Sequence, residues 1–349
     1  MRNLAFYQKY RPAKFCEVLG QDHIIKVLSG AVEQDRISHA YLFSGPRGTG
    51  KTSMARILAR EIGTSEKDIY ELDAASNTSV EDIREIVEGA RVLPFDSEKK
   101  VYIIDEAHML SKSAFNAFLK TLEEPPAHVV FVLATTEAQK LPVTVVSRCQ
   151  SFSFKKPTNE ILRKAILNIV KKEGFQIDKE SVNLITILGD GSFRDAIGIL
   201  DQVTNCSKDK KITIDEVEAV TGAPRSSLVH SLSEAILDKN LDKALSLVEE
   251  AVAGCVDMKI FVRLLLRDLR NILFLKLVPD MNKEILAELS DDEGKIFERL
   301  KSHQNVKILP DALREMILVF NDIAGAGMPE LPIELALIRL LGQQQRINS

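Results

Sequence analysis

The segment SGPRGTGKTS at residues 44–53 constrains the fold more than any other stretch of the chain. Its spacing, Gly45-x-x-x-x-Gly50-Lys51-Thr52, is that of a backbone loop wrapped around phosphates. Glycines let the chain turn its N–H groups inward, and a helix beginning inside the loop adds positive potential. Such a loop needs a strand before it and a helix after it. Both are legible. AYLFS (Ala40–Ser44) is apolar and β-rich, and KTSMARILAREIG runs with helical character to Gly63, a helix breaker. Gly45, Pro46, Arg47, Gly48, Thr49, Gly50, Lys51, Thr52 and Ser53 form the expected cradle. Lys51 is expected to reach the β- and γ-phosphates of a nucleotide, and the Thr52 hydroxyl to ligate Mg2+.

Short β-rich runs alternate with helical ones through the first ~155 residues, the order of an α/β domain with a parallel sheet. The expected strands are Ala40–Ser44, Ile69–Asp73, 101–105, Val129–Thr135 and 150–154. SAFNAFLKTLEEPP places Phe115, Phe118, Leu119 and Leu122 on one helical face and stops at Pro125 and Pro126. After Pro157 the chain reads helical throughout, first as three short helices and then, from about Thr221, as longer ones. The boundaries expected are 1–156 for the α/β domain, 157–221 for a small helical domain and 222–349 for an all-α domain. In the run at 260–278, Arg263, Arg267 and Arg270 form a narrow charged stripe and most other positions are Leu, Ile, Val or Phe. Such a helix needs cover on nearly every side, from a core or from another subunit.

The second half of a phosphate site follows in VYIIDEAH, an apolar strand ending in Asp105 and Glu106. Asp105 at a strand's carboxyl end suits a magnesium ion, held directly or through water. Glu106 then lies where a water attacks, as the general base of hydrolysis. His108 reads as a packing or hydrogen-bonding residue. Thr136, ending LATT, is placed to contact the γ-phosphate or orient the water. Arg148 of SRC precedes a strand and reads either as a surface arginine or as one given to a neighbour's phosphate. Arg194 of GSFRDA reads either as a residue folding over the nucleotide or as one salt-bridged to Asp195 or Asp201.

A formal net charge of −4 gives no global field for nucleic acid, so any such surface is a local patch. The N-terminus shows no apolar core or cleavage site of a signal peptide. The arginines of 260–278 argue against a membrane span. Cys16, Cys149, Cys206 and Cys255 lie far apart and fit a reducing cytoplasm.

Several segments together resemble one family closely: YQKYRPAKFCEVLGQDHI, the phosphate loop, DAAS, VYIIDEAHMLS, FNAFLKTLEEPP, LATTEAQKLPVTVVSRCQSF and GSFRDAI. They look like the gamma/tau subunits of bacterial DNA polymerase III, which are AAA+ sliding-clamp loader ATPases. The resemblance spans the chain and is strongest over the first ~205 residues. It implies a P-loop (AAA+) domain followed by a helical lid and an all-α collar. It implies ATP with Mg2+, an adenine pocket of Tyr10, Arg11, Pro12, Val18 and Gly20, and Glu106 as catalytic glutamate. It further implies Thr136 as a sensor, Arg148 as a finger acting in trans and Arg194 as a lid sensor. The implied partners are delta, delta-prime and further copies of the chain in a five-membered ring, a sliding clamp and primer-template DNA, with no membrane.

Two departures stand out. Relatives usually carry a four-cysteine zinc module between the P-loop helix and the second strand, whereas REIGTSEKDIYELDAAS has no cysteine, so no zinc is expected. The extension that would bind polymerase and helicase is also absent from this sequence. DNA contacts are expected at Asn77 and Thr78, where a helix should start with a Ser or Asn cap, and at Lys120. Three rival readings remain open. They are a DEAH-type helicase, which needs a second strand-rich domain, a non-hydrolysing scaffold of the delta-prime type, and another AAA+ remodeller.

Overall fold

Along AYLFS, Tyr41 and Phe43 enter one hydrophobic core and Ala40 and Leu42 another, because successive side chains of a strand point to opposite faces. The computed structural model of the chain describes residues 4–76, 79–289 and 291–342. They form two compact units, Met1–Glu173 with Gly189–Asp201 and Gly174–Leu188 with Gln202–Ser349. The first contains α1 (Phe6–Lys9), α2 (Asp22–Glu33), β1 (Ala40–Ser44), α3 (Lys51–Glu61), β2 (Ile69–Asp73) and α4 (Val80–Arg91). It continues through β3 (Lys100–Asp105), α5 (Lys112–Glu123), β4 (Val129–Thr135), α6 (Val143–Val146), β5 (Gln150–Ser153) and α7 (Asn159–Glu173).

All five strands are parallel, in the order β2-β3-β4-β1-β5. Helices cover both faces, which is why the central strands are nearly continuous apolar runs. Ile24 and Leu28 of α2 and Ile57 and Leu58 of α3 pack on Tyr41, Phe43, Ile103 and Val132. Ile83 of α4 and Phe115, Phe118 and Leu122 of α5 pack on Leu42, Ile104, Phe131 and Leu133. Each such fully buried side chain stabilises the fold by about 1.5–3 kcal/mol.

The strands expected from the sequence are all present; β1, β2 and β4 have the expected ends, and β3 and β5 are shifted by one residue at one end. β3 begins one residue early, at Lys100, whose buried ammonium donates to the Gly89 and Val92 carbonyls, each at 3.1 Å, where α4 ends. β5 stops at Ser153, although the Phe154 N–H still donates to the Ser44 carbonyl at 2.7 Å. Ser79 caps α4 in a reciprocal box. Its hydroxyl accepts from the Asp82 N–H at 3.1 Å, and the Asp82 carboxylate accepts from the Ser79 N–H at 3.1 Å. Asn77 and Thr78 lie outside the described residues.

Between α3 and β2 a single carboxylate organises the chain. Asp68 is fully buried and accepts from the N–H groups of Phe95, Asp96 and Ser97 at 2.6, 2.8 and 3.0 Å. It also accepts from the Ser97 hydroxyl at 2.6 Å. Burial alone would push this carboxyl up, but the Ser97 hydroxyl and the three N–H donors together hold it well below the usual carboxylate range. Asp68→Asn, which keeps the shape and loses the charge, should cost about 2–4 kcal/mol of stability at neutral pH. A depressed folded-state pKa gives stability that is present above the unfolded value and lost as pH falls. The Tm gap between wild type and variant should therefore shrink between neutral pH and about pH 3. A gap independent of pH would remove the charge from the explanation.

Next along the chain come β6 (Gln176–Ile177) and α8 (Lys179–Leu188) of the second unit, α9 (Phe193–Cys206), most of which belongs to the first, and then β7 (Lys211–Ile212), α10 (Ile214–Thr221) and α11 (Ser226–Asp238) of the second. They are followed by α12 (Leu241–Ala253), α13 (Met258–Leu277), α14 (Asn282–Glu288), α15 (Asp291–Leu300), α16 (Leu309–Asp322) and α17 (Leu331–Leu341). The all-helical expectation after Pro157 needs one correction: β6 and β7 pair in parallel. Two residues are too few to show a period of two, and the partners are far apart in sequence.

α13 is the apolar run of 260–278, covered by α11, α15 and α16. Its arginines are anchored as well. Arg263 donates to the Leu188 carbonyl at 3.3 Å, and Arg267 donates to the fully buried Asp268 at 2.9 Å and reaches Glu293 at 3.4 Å. Burial pushes the Asp268 carboxyl up despite Arg267 and His230 beside it. No helix of the described residues is long and apolar enough to cross a membrane.

Candidate active site

The first unit holds a cavity of about 780 Å³ beside the carboxyl ends of β1 and β3. That size and position suit a mononucleotide-sized ligand in a parallel sheet. Its lining includes Arg47–Gly50 in the loop after β1, Lys51–Ser53 opening α3, Asp105 at the end of β3 and Glu106 just beyond it. Gly48 has φ +73°, and a Cβ there would sit 1.9 Å from the Ser192 hydroxyl, so both handedness and space exclude a side chain. The Phe193 N–H donates to the Gly48 carbonyl at 3.0 Å, which brings Arg194 to the cavity wall.

Lys51 is 5% exposed and donates to the Gly45 and Pro46 carbonyls at 2.8 and 2.9 Å. Burial pulls its pKa down, while Glu106 and Asp105 pull it back up. The Thr52 hydroxyl donates to Asp105 at 2.6 Å. A hydroxyl and a carboxylate oxygen side by side are the hard donors Mg2+ takes, so these residues fit that ion. Among the described residues, no group of three or more His, Cys, Asp or Glu gathers as a metal site.

Glu106 has a left-handed backbone (φ +47°, ψ +44°), a conformation residues other than glycine seldom adopt. Its carboxylate accepts from the Thr136 hydroxyl at 3.1 Å and the Thr136 N–H at 3.3 Å. Thr136 lies outside the cavity lining and reaches it through Glu106. The His108 side chain, 7% exposed, is beside them. Its Nδ1 is 3.1 Å from the Thr135 hydroxyl and 3.4 Å from Glu106, and its Nε2 is 3.5 Å from Glu137.

At the other end the cavity is lined by Tyr10, Arg11, Pro12 and Val18. The Tyr10 hydroxyl donates to Glu173, which also pairs with Lys9 at 2.5 Å. Burial lowers the Arg11 pKa, and Arg56 adds to the effect. The Arg194 guanidinium lies 5.3 Å from the Tyr7 ring centre. Gly20 is not in the lining. It has φ +76°, and a Cβ there would lie 2.7 Å from Ile161 Cδ1, so the position favours glycine. Gly45 and Pro46 act through the carbonyls that hold Lys51.

Arg148 is away from this cavity, paired with Glu123 at 2.6 Å and donating to the Thr144 carbonyl at 2.7 Å. Lys120 is exposed on α5. The sequence reading missed Tyr7, Glu71, Asn168, Ile169, Lys172 and Ile197, all in the lining. Ala165, Asn168, Ile169 and Lys172 share one face of α7 at helical spacing, but nothing in that spacing marks the face as turned to a ligand.

Two families match the sequence. One, described as DNA polymerase III, delta subunit, covers residues 20–77 and 64–158. The other, DNA polymerase III subunits gamma and tau domain III, covers 212–347. DNA polymerase III subunit tau of Bacillus subtilis is 37% identical, over 96% of this chain and 63% of that protein. The gamma/tau subunit of Mycoplasma genitalium is 40% identical over 74% and 47%, and the tau subunit of Escherichia coli 35% over 97% and 55%. The chain thus spans less than two thirds of the length of these relatives. Among solved structures, the RuvB Holliday junction branch migration motor of Thermotoga maritima superposes with a TM-score of 0.53. It is 24% identical and covers 66% of this chain and 80% of that one. At that identity the likeness shows the fold alone, an α/β domain with a parallel sheet and helices following it in the chain.

Proposed function

The chain belongs to the gamma and tau family of DNA polymerase III subunits, and from that premise we propose that it is the ATP-hydrolysing motor of a clamp loader. In this reading it opens a sliding clamp and loads it onto primed DNA in the cytoplasm. The observation that carries it is the convergence of Lys51, Thr52, Asp105 and Glu106 on one cavity. A scaffold subunit has no need to keep all four. A DEAH-type helicase needs a second large sheet, and after Phe154 the described residues contain only β6 and β7.

ATP is the substrate. Lys51 and the inward N–H groups of the loop hold its phosphates, and Tyr10, Arg11, Pro12 and Val18 hold the base. Thr52 and Asp105 would hold Mg2+, which supplies charge neutralisation at the phosphates. Glu106 accepts the proton of the attacking water, and the two Thr136 donors fix the carboxylate for that task. Arg194 closes the site from its own chain, and Arg148 completes the site of a neighbouring protomer. Zinc has no part in this reading; the Asp68 cluster holds the segment between α3 and β2.

The lid (157–221) and the collar (222–349) follow the same reading. Exposed Ile317, Leu318, Leu335 and Ile338 on α16 and α17 support a collar that meets delta, delta-prime and further copies of the chain. Lys120, with Asn77 and Thr78, would face primer-template DNA. The γ-phosphate biases the ring between two states because only one of them contacts it.

The test is ATP turnover by the chain alone, with candidate partner subunits, and with clamp and primed DNA added. We expect slow turnover alone and a rise of at least about 10-fold on assembly, since the finger comes from a neighbour. Equal rates alone and assembled would overturn the proposal.

A further inference from the structure

Arg148 lies between α6 and β5, outside the lining of its own chain's cavity, and its guanidinium is tethered. Nη1 donates to the Thr144 carbonyl at 2.7 Å and to the Ser147 hydroxyl at 3.3 Å. Nη2 donates to Glu123 Oε1 at 2.6 Å. A guanidinium has five N–H donors, so these contacts still leave some for an outside acceptor. The side chain stays 34% exposed, so an incoming anion can reach it without unpacking the protein.

Glu123 is the last residue of α5. A helix carries partial negative charge at that end, so local physics disfavours a carboxylate there. The ion pair with Arg148, 25 residues along the chain, offsets that cost. α5 is also a firm mount, since Phe115, Phe118 and Leu122 are 3%, 0% and 1% exposed in the sheet core. A local rule is thus broken at a residue whose ion-pair partner is Arg148.

We propose that Glu123 is the positioning residue of Arg148: it fixes the guanidinium at the surface so that its remaining N–H groups meet a phosphate held by a neighbouring protomer. The inference rests on the reading of Arg148 as a finger acting in trans. Arginine is a flexible side chain, and ordering it before the phosphate arrives removes part of the entropy cost from the transition state. Glu123 touches neither substrate nor reacting atoms; it acts through Arg148.

The experiment uses the chain assembled with its clamp-loader partners and measures kcat and KM for ATP. Glu123→Ala should lower kcat about tenfold with KM unchanged, the signature of a misplaced group acting in the transition state. Glu123→Gln, whose amide oxygen still accepts from Nη2, should restore most of the rate. Glu123→Ala added to Arg148→Ala should cost nothing more, since the residue to be positioned is gone. Wild-type kcat in Glu123→Ala beside a crippled Arg148→Ala would end the positioning role and leave the finger standing. Additive losses in the double variant, or no rescue by Gln, would also overturn it. An unaffected Arg148→Ala would instead remove the finger reading, and this inference with it.

Discussion

Arg148→Ala is expected to lower kcat of the assembled ATPase by about 10³–10⁵ while leaving ATP binding by the isolated chain intact. The expectation combines the role proposed for Arg148 with where it is. It is absent from the lining of its own cavity, so its removal takes nothing from the Lys51 and Thr52 cradle. Its ion pair with Glu123 is partly exposed, and such pairs contribute about 0–1 kcal/mol, so the fold should survive. A small loss of stability beside a large loss of turnover therefore isolates a role in another protomer's site. The measurement is ATPase of the assembly and nucleotide titration of the single chain, each with wild type and variant. An assembly carrying the variant that hydrolyses ATP normally would make Arg148 a surface arginine after all.

How far the sequence foretold this geometry depends on how local each signal is. The phosphate loop, β1 and α3 are one contiguous segment, so spacing and composition place Lys51 and Thr52 without any tertiary knowledge. The parallel sheet follows from apolar runs buried on both faces, such as Val129–Thr135, every residue of which is buried. The neighbours of Glu106 were less legible. Threonine at a strand end is common, and only the fold shows that both the N–H and the hydroxyl of Thr136 meet that carboxylate 30 residues away. The base end was harder still. Tyr7 and Lys172 reach the cavity from α1 and α7, distant segments whose shared wall no periodicity announces. The buried polar hubs at Asp68 and Asp268 were invisible for the same reason. An acidic residue reads as solvated until the fold supplies the donors that keep it inside, here Ser97 and its neighbours or Arg267.

Glu106→Gln should reduce kcat by about 10²–10⁴, the range for loss of a positioned general base, and leave ATP affinity within about threefold of wild type. Glutamine has the same length and keeps an oxygen that can accept from the Thr136 hydroxyl and N–H, now at 3.1 and 3.3 Å. The left-handed backbone at φ +47° is no harder for glutamine than for glutamate, so the strand end should not move. The phosphate cradle is untouched, because Lys51 is held by the Gly45 and Pro46 carbonyls and Thr52 by Asp105. What disappears is the basic oxygen proposed to take the proton from water. Single-turnover hydrolysis by the assembled complex, read beside nucleotide titration of the same preparation, separates the two effects. Full turnover by the variant would show that proton removal falls to another group. Weakened binding with normal turnover of bound ATP would recast Glu106 as part of the phosphate grip.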